Sequence, residues 1–154
     1  MVTLTGSTRA GLEVFRAAAD HCVAVRLELG GKAPFIVMED TDIDRAVKAA
    51  VIAKFNNCGQ ICTCNERMYI HESIYEKFVA GLIEKTSELV VGDPLNPDTF
   101  IGPKVNKAEV DKINQLVQKS VEQGGKVLLD MTPEMKPTQN GNWMYPIIIE
   151  VPNN

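Results

Sequence analysis

Three of the four cysteines in this 154-residue chain fall within seven residues, in the stretch Asn56-Asn57-Cys58-Gly59-Gln60-Ile61-Cys62-Thr63-Cys64-Asn65-Glu66-Arg67. A thiol attacks as its thiolate, and an ordinary pKa near ~8.5 leaves only a small fraction ionised at neutral pH. Gly59 lets the backbone bend and approach closely. A turn that follows a helix also leaves N–H groups free to donate to an oxyanion forming beside the sulfur. Cys62 is therefore a candidate nucleophile. Two plainer readings compete with it. Free cysteine is among the most buried residue types, and Cys58, Cys62 and Cys64 with His71 offer soft metal ligands. The metal spacing is poor, because the common zinc modules need a second ligand pair well away and Cys22 stands alone. No metal is expected. A Cys62–Cys64 disulfide would close a strained ring around one intervening residue.

Glu28 lies thirty-four residues before Cys62, in Leu27-Glu28-Leu29-Gly30-Gly31-Lys32-Ala33-Pro34. A carboxylate ending an apolar strand is expensive to bury, and desolvation would raise its pKa toward the range of a general base. Taken alone it reads more simply as a surface glutamate, and Lys32 as a solvated lysine. Thr5-Gly6-Ser7 forms a strand-to-helix turn whose amides and helix dipole favour an anion such as a phosphate. Gly6 and Gly11 are five apart, so the full dinucleotide fingerprint is absent.

Positioning these groups requires alternating strands and helices. Val2–Thr5 reads as a strand, with Ser7 as N-cap of a helix bearing Leu12, Phe15 and Ala19 at helical spacing. Cys22–Leu29 reads as a second strand. The continuous apolar run Pro34–Met38 has the pattern of a strand covered on both faces. Thr41 and Asp44 predict a capping box for a helix with the stripe Ile43, Ala46, Val47, Ala50, Val51 and Phe55, ended by the cysteine turn. A strand over Arg67–Ile70 follows, and then a helix capped by Ser73 and Glu76 with a buried face of Tyr75, Phe78, Val79, Leu82 and Ile83. Asn106 starts a further helix whose apolar side is Val110, Ile113, Val117 and Val121, stopped by Gly124-Gly125. Lys126–Leu129 is a short strand, 131–142 a loop, and Tyr145–Val151 a last strand. This succession specifies an α/β layered sheet.

Composition excludes several classes. The net charge of −4 and the lack of a basic cluster argue against a nucleic acid or an anionic membrane as partner. No apolar run is long enough to span a bilayer, and the start lacks the regions of a secretory signal. Clustered thiols without a disulfide framework point to a reducing compartment, the cytoplasm.

The combination is more specific than its parts. Thr5-Gly6-Ser7-Thr8, then Leu27 to Pro34, then Gly59-Gln60-Ile61-Cys62 and Arg67, in this order and with these gaps, resembles the aldehyde dehydrogenase superfamily over essentially the whole chain. Asp40 and Asp42 before a helix, Gly92-Asp93-Pro94, Gly102-Pro103 and Tyr145-Pro146 also fit. The segment Cys62–Tyr69 looks most like the lactaldehyde/glycolaldehyde dehydrogenase branch.

The resemblance implies a three-layer αβα catalytic domain, present in part. Residues 1–28 would be the C-terminal end of a dinucleotide-binding domain, and 29–154 the N-terminal part of the catalytic domain. It implies Cys62 as nucleophile and Glu28 as general base. It places Gly6 and Ser7 beside the dinucleotide, Leu29 and Gly30 at its nicotinamide end, and Glu109 and Lys112 at its ribose. The cofactor is NAD or NADP, the substrate a small aldehyde, and the parent protein a homo-oligomer. Cys64 is expected near the substrate pocket. Family members are several times longer, Arg9 stands where many relatives carry an acid, and Asp130-Met131 replaces a common Gly-Gly. The chain thus reads as an excised piece with an added Met1, inactive alone and inclined to self-associate through exposed apolar edges.

Overall fold

A computed structural model describes residues 1–132 and 141–152. Its elements run β1 (Val2–Thr5), α1 (Thr8–Ala19), β2 (Val25–Glu28), β3 (Ala33–Val37), α2 (Ile43–Phe55), β4 (Asn65–Ile70), α3 (Tyr75–Ser87), α4 (Lys107–Glu122), β5 (Lys126–Asp130) and β6 (Ile147–Glu150). Short 3-10 turns occupy Asn56–Gly59 and Glu72–Ile74. The chain is α/β, as its alternation predicts. Among the described residues the strands form three ladders: β1–β2 and β3–β4 parallel, β5–β6 antiparallel.

Each parallel pair is a strand, a helix and a returning strand. In β1–α1–β2, Thr5 lies opposite Glu28, and the Gly6 N–H donates to the Glu28 carbonyl at 3.0 Å. Ser7 caps α1 as expected, its Oγ accepting from the Ala10 N–H. The second strand is shorter than the Cys22–Leu29 run. Cys22 adopts a left-handed φ of 52°, and its N–H donates to Ala19 O in the turn that closes α1.

The β3–α2–β4 unit holds the core. Val37, Val47, Ala50, Val51, Ile74, Phe78 and Leu82 are buried together, with Phe35, Phe55, Met68 and Ile70 packed around them. The stripe expected on α2 is the face that meets this cluster. Its cap sits one residue later than expected, because Asp42 rather than Thr41 accepts from the helix, through Arg45 N–H at 3.1 Å. The expected two-sided cover of β3 is not found. Val37 points inward, whereas Ile36 is 66% exposed.

Ser73 and Glu76 do not form the expected capping box. The 3-10 turn Glu72–Ile74 takes up the chain first, and His71 Nδ1 accepts from the Ser73 N–H. Ile74 then precedes α3 with no side-chain cap. Asn106 caps α4 through the Glu109 N–H at 3.0 Å. The helix ends in a two-bond glycine stop, Gly124 N–H to Val121 O and Gly125 N–H to Ser120 O, with Gly124 at φ +94°. Its apolar side contains no buried residue. Met131, assigned by sequence to a loop, is buried, and its N–H reaches Pro146 O. The middle of that loop, 133–140, lies outside the described residues.

Candidate active site

The cysteine turn begins where α2 loses its helical path. Asn57, Cys58 and Gly59 have φ of 48°, 59° and 73°, three left-handed residues in succession. Glycine adopts this conformation freely, whereas each residue with a Cβ pays about 1 kcal/mol or more. Bonds within the turn hold it. Gln60 N–H and Nε2 both donate to Asn57 O, and Asn57 Nδ2 donates to Gln60 O. Cys64 N–H then closes on Ile61 O at 3.1 Å.

The three thiols fare differently. Cys62 is exposed and free. Cys64 is 2% exposed, and its Sγ donates to Lys54 O at 3.3 Å, so it plugs the turn against the end of α2. Cys58 is half-buried, with Sγ donating to Gly102 O at 3.3 Å. The N–H groups of Cys62 and Thr63 have no partner among the described residues. They remain available to an incoming oxyanion.

The two sequence motifs meet at Gly31. A Cβ on Gly31 would collide with the Cys62 carbonyl oxygen. Beside this contact, Arg67 Nη2 donates to Lys32 O at 2.8 Å, and Ala33 pairs with Asn65 where β3 joins β4. The loop leaving Glu28 is thus seated on the turn that carries Cys62. Glu28 itself is not enclosed. Its side chain is 60% exposed, and Oε1 lies 3.6 Å from Arg26 Nε. The burial expected of a strand-end base is therefore not supplied by the described residues.

Gly6 and Ser7 stand exposed at the α1 N-terminus, with no acidic residue in the first turn to compete for an anion. Leu29 packs on α1, where a Cβ at Gly11 would come within 2.7 Å of Leu29 Cδ2. A Cβ on Gly30 would meet nothing within 4 Å, so that side of the loop is open. Glu109 and Lys112 pair with each other at 3.3 Å on α4. An anion-receptive helix start and an open loop at Gly30 suit a dinucleotide, whereas no hydrogen bond or ion pair joins Glu109 or Lys112 to them among the described residues.

Lys104 was not singled out by sequence. It is half-buried beneath the turn and donates to Cys58 O, while the neighbouring Val105 N–H donates to Gln60 Oε1 at 3.3 Å. Burial pushes its ammonium below the usual lysine range. Lys54 acts in the same direction, and Cys58, Cys64 and Glu109 oppose it. Gly102-Pro103 marked a turn here, but no local signal announces a contact spanning 46 residues. No group of three or more potential metal ligands gathers among the described residues, and none of their helices is long and apolar enough to cross a membrane.

Comparison with known proteins covers the chain end to end. Residues 1–154 match the aldehyde dehydrogenase family. A 3,6-anhydro-alpha-L-galactose dehydrogenase from Vibrio sp. is 51% identical over 128 residues, covering 83% of this chain and 27% of that protein. A D-glyceraldehyde dehydrogenase (NADP(+)) from Thermoplasma acidophilum is 39% identical over 151 residues, covering 97% of this chain and 30% of its own length. The crystal structure of lactaldehyde dehydrogenase from Escherichia coli superposes with a TM-score of 0.89 at 39% identity, over 97% of this chain and 31% of that one. The chain therefore spans about three tenths of the length of the curated relatives it matches.

Proposed function

The chain belongs to the aldehyde dehydrogenase family, and from that premise we propose that it carries the nucleophile and the general base of an NAD(P)-dependent oxidation of an aldehyde to a carboxylic acid. Cys62 is the nucleophile and Glu28 the base. The observation that carries this reading is the seating of Gly31 on the Cys62 carbonyl, which joins the loop of one to the turn of the other. In the parent protein, residues 1–28 complete a dinucleotide-binding domain and 29–154 begin the catalytic domain.

The Cys62 thiolate adds to the aldehyde carbon, and the carbonyl oxygen becomes an oxyanion to which the unpartnered N–H groups of Cys62 and Thr63 would donate. A nicotinamide dinucleotide, when bound, would supply the acceptor for the hydride that leaves this carbon. Gly6, Ser7, Leu29 and Gly30 would hold it, with Glu109 and Lys112 at the ribose. The carbon is then a thioester on Cys62. Glu28 takes a proton from water, the hydroxide oxygen adds to the thioester carbon, and the acid leaves as the Cys62 thiolate is restored.

The relatives named for anhydrogalactose, glyceraldehyde and lactaldehyde take aldehydes with a hydroxyl-bearing neighbouring carbon, and those named for sulfoacetaldehyde, benzaldehyde and succinate semialdehyde do not. The lactaldehyde/glycolaldehyde look of Cys62–Tyr69 favours the first group, and we extend that class, α-hydroxyaldehydes, to the parent of this chain. Its home is the cytoplasm, and its assembly a homo-oligomer.

Timed alkylation followed by mass spectrometry tests the assignment. Cys22 is as free and exposed as Cys62, so it serves as an internal standard. Faster labelling of Cys62 is expected. Equal rates would instead support a non-catalytic α/β module with a structural cysteine turn.

A further inference from the structure

We propose that Lys104 is a positioning residue for Cys62, clamping the left-handed run Asn57-Cys58-Gly59 through its bond to the Cys58 carbonyl. This rests on the reading of Cys62 as the nucleophile.

Two successive left-handed residues that bear a Cβ are unfavourable, and such strain persists only where its surroundings over-determine it. The bonds between Asn57 and Gln60 leave the Cys58 carbonyl and thiol to other partners. Both are held by one remote segment: Lys104 Nζ donates to the carbonyl, and the Sγ donates to Gly102 O. Val105 N–H on Gln60 Oε1 extends the grip two residues further toward Cys62. The segment Gly102–Val105 thus lies along the turn like a splint, and Lys104 is its single cation.

A charged donor on a carbonyl is about twice as strong as a neutral one. The groups facing Lys104 are Cys58 and Cys64 of the turn, Lys54 at the end of α2, and Glu109 in the first turn of α4. Burial and Lys54 work against its charge, so the clamp weakens at a lower pH than that of a free lysine. Arginine in its place would keep its charge throughout.

Two variants of the full chain, Lys104→Met and Lys104→Arg, test this by amide hydrogen exchange and by the Cys62-to-Cys22 alkylation ratio. Lys104→Met is expected to raise exchange at the Gln60 and Cys64 amides by about tenfold and to lower the ratio by about fivefold. Lys104→Arg should restore most of both. In the native chain the ratio should fall at alkaline pH as Lys104 loses its proton, and Lys104→Arg should flatten that fall. Unchanged exchange and ratio in Lys104→Met would overturn the clamp while leaving Cys62 as nucleophile. A native ratio near one would remove the nucleophile assignment, and the exchange data would still decide whether Lys104 holds the turn. Should Lys104→Met fail to fold, an alkaline fall that Lys104→Arg does not flatten overturns the proposal.

Discussion

The strand pairs β1–β2 and β3–β4 share one plan, two parallel strands with a helix between, yet they are anchored very differently. The pair that leads into Cys62 is rooted in the core: Val37 is 2% exposed, Val47 3%, and Ala50 and Phe78 are fully enclosed. The pair that ends in Glu28 contributes nothing to that cluster. Its helix leaves Leu12 48% and Phe15 57% exposed. On the proposed roles, packing supports Cys62 directly, while Glu28 depends on contact at second hand, through Gly31. A carboxylate that must activate water needs desolvation to raise its pKa, and on this reading the remainder of the parent protein provides it.

The largest test of the contrast is chemical. Cys62→Ser in the parent enzyme should lower kcat/KM by at least about a thousandfold, because an unactivated hydroxyl replaces the thiolate. Steady-state turnover with an α-hydroxyaldehyde reads it. Glu28→Gln should reduce kcat by roughly 10²–10⁴ and allow thioester to accumulate on Cys62, visible as added mass under acid quench. A loss of turnover without that adduct would place Glu28 in another step.

Stability separates the two pairs next. Phe78→Ala should cost ~3–5 kcal/mol in urea unfolding, as expected for an enclosed aromatic. Phe15→Ala should cost less than ~1 kcal/mol in the 154-residue chain. Equal costs would erase the distinction. Gly31→Ala addresses the junction between them. Since its Cβ would strike backbone rather than a flexible side chain, a cost of ~1–3 kcal/mol is expected, with Cys62 labelling altered and Cys22 labelling unchanged.

The smallest effect concerns the tie between α3 and β6, where the Tyr75 hydroxyl donates to Glu150 Oε1 at 2.5 Å. Burial first, then that bond and the charges of Glu150 and Glu76, push the phenol from 10.0 up to about 12. The folded pKa lies above the unfolded one, so the contribution is fully present below pH ~10 and lost as pH rises through about 12. Phenolate absorbance should show this late titration, and Tyr75→Phe should remove it.

Features encoded by neighbours in sequence were legible in the sequence. Ser7 and Asn106 announce their helices because a cap is a bond three residues long, and Gly124-Gly125 announces a stop because only glycine accepts that φ easily. Asp42 was passed over for Thr41 because both can accept at that distance and the final strand-to-helix path selects one. Ser73 failed as a cap because the 3-10 turn, favoured by His71 Nδ1, intervened. The exposure of Ile36 and of the α4 side could not be read from apolar pattern, which records what can be covered rather than what is. The turn bearing Cys62 and the loop leaving Glu28 stood out because each motif is contiguous, and the structure brings the two together at Gly31. Lys104 was not, since its role exists only once residues 58 and 104 have been brought together.

The β–α–β arrangement around α2 also bears on the order of assembly. Apart from Ile148, every member of the core and its packed surround comes from residues 35 to 89. Such short-range contacts close small loops and are favoured early in folding. A chain that condenses there brings α2 and β4 together early, and the bend between them is fixed once the segment Gly102–Val105 closes on it.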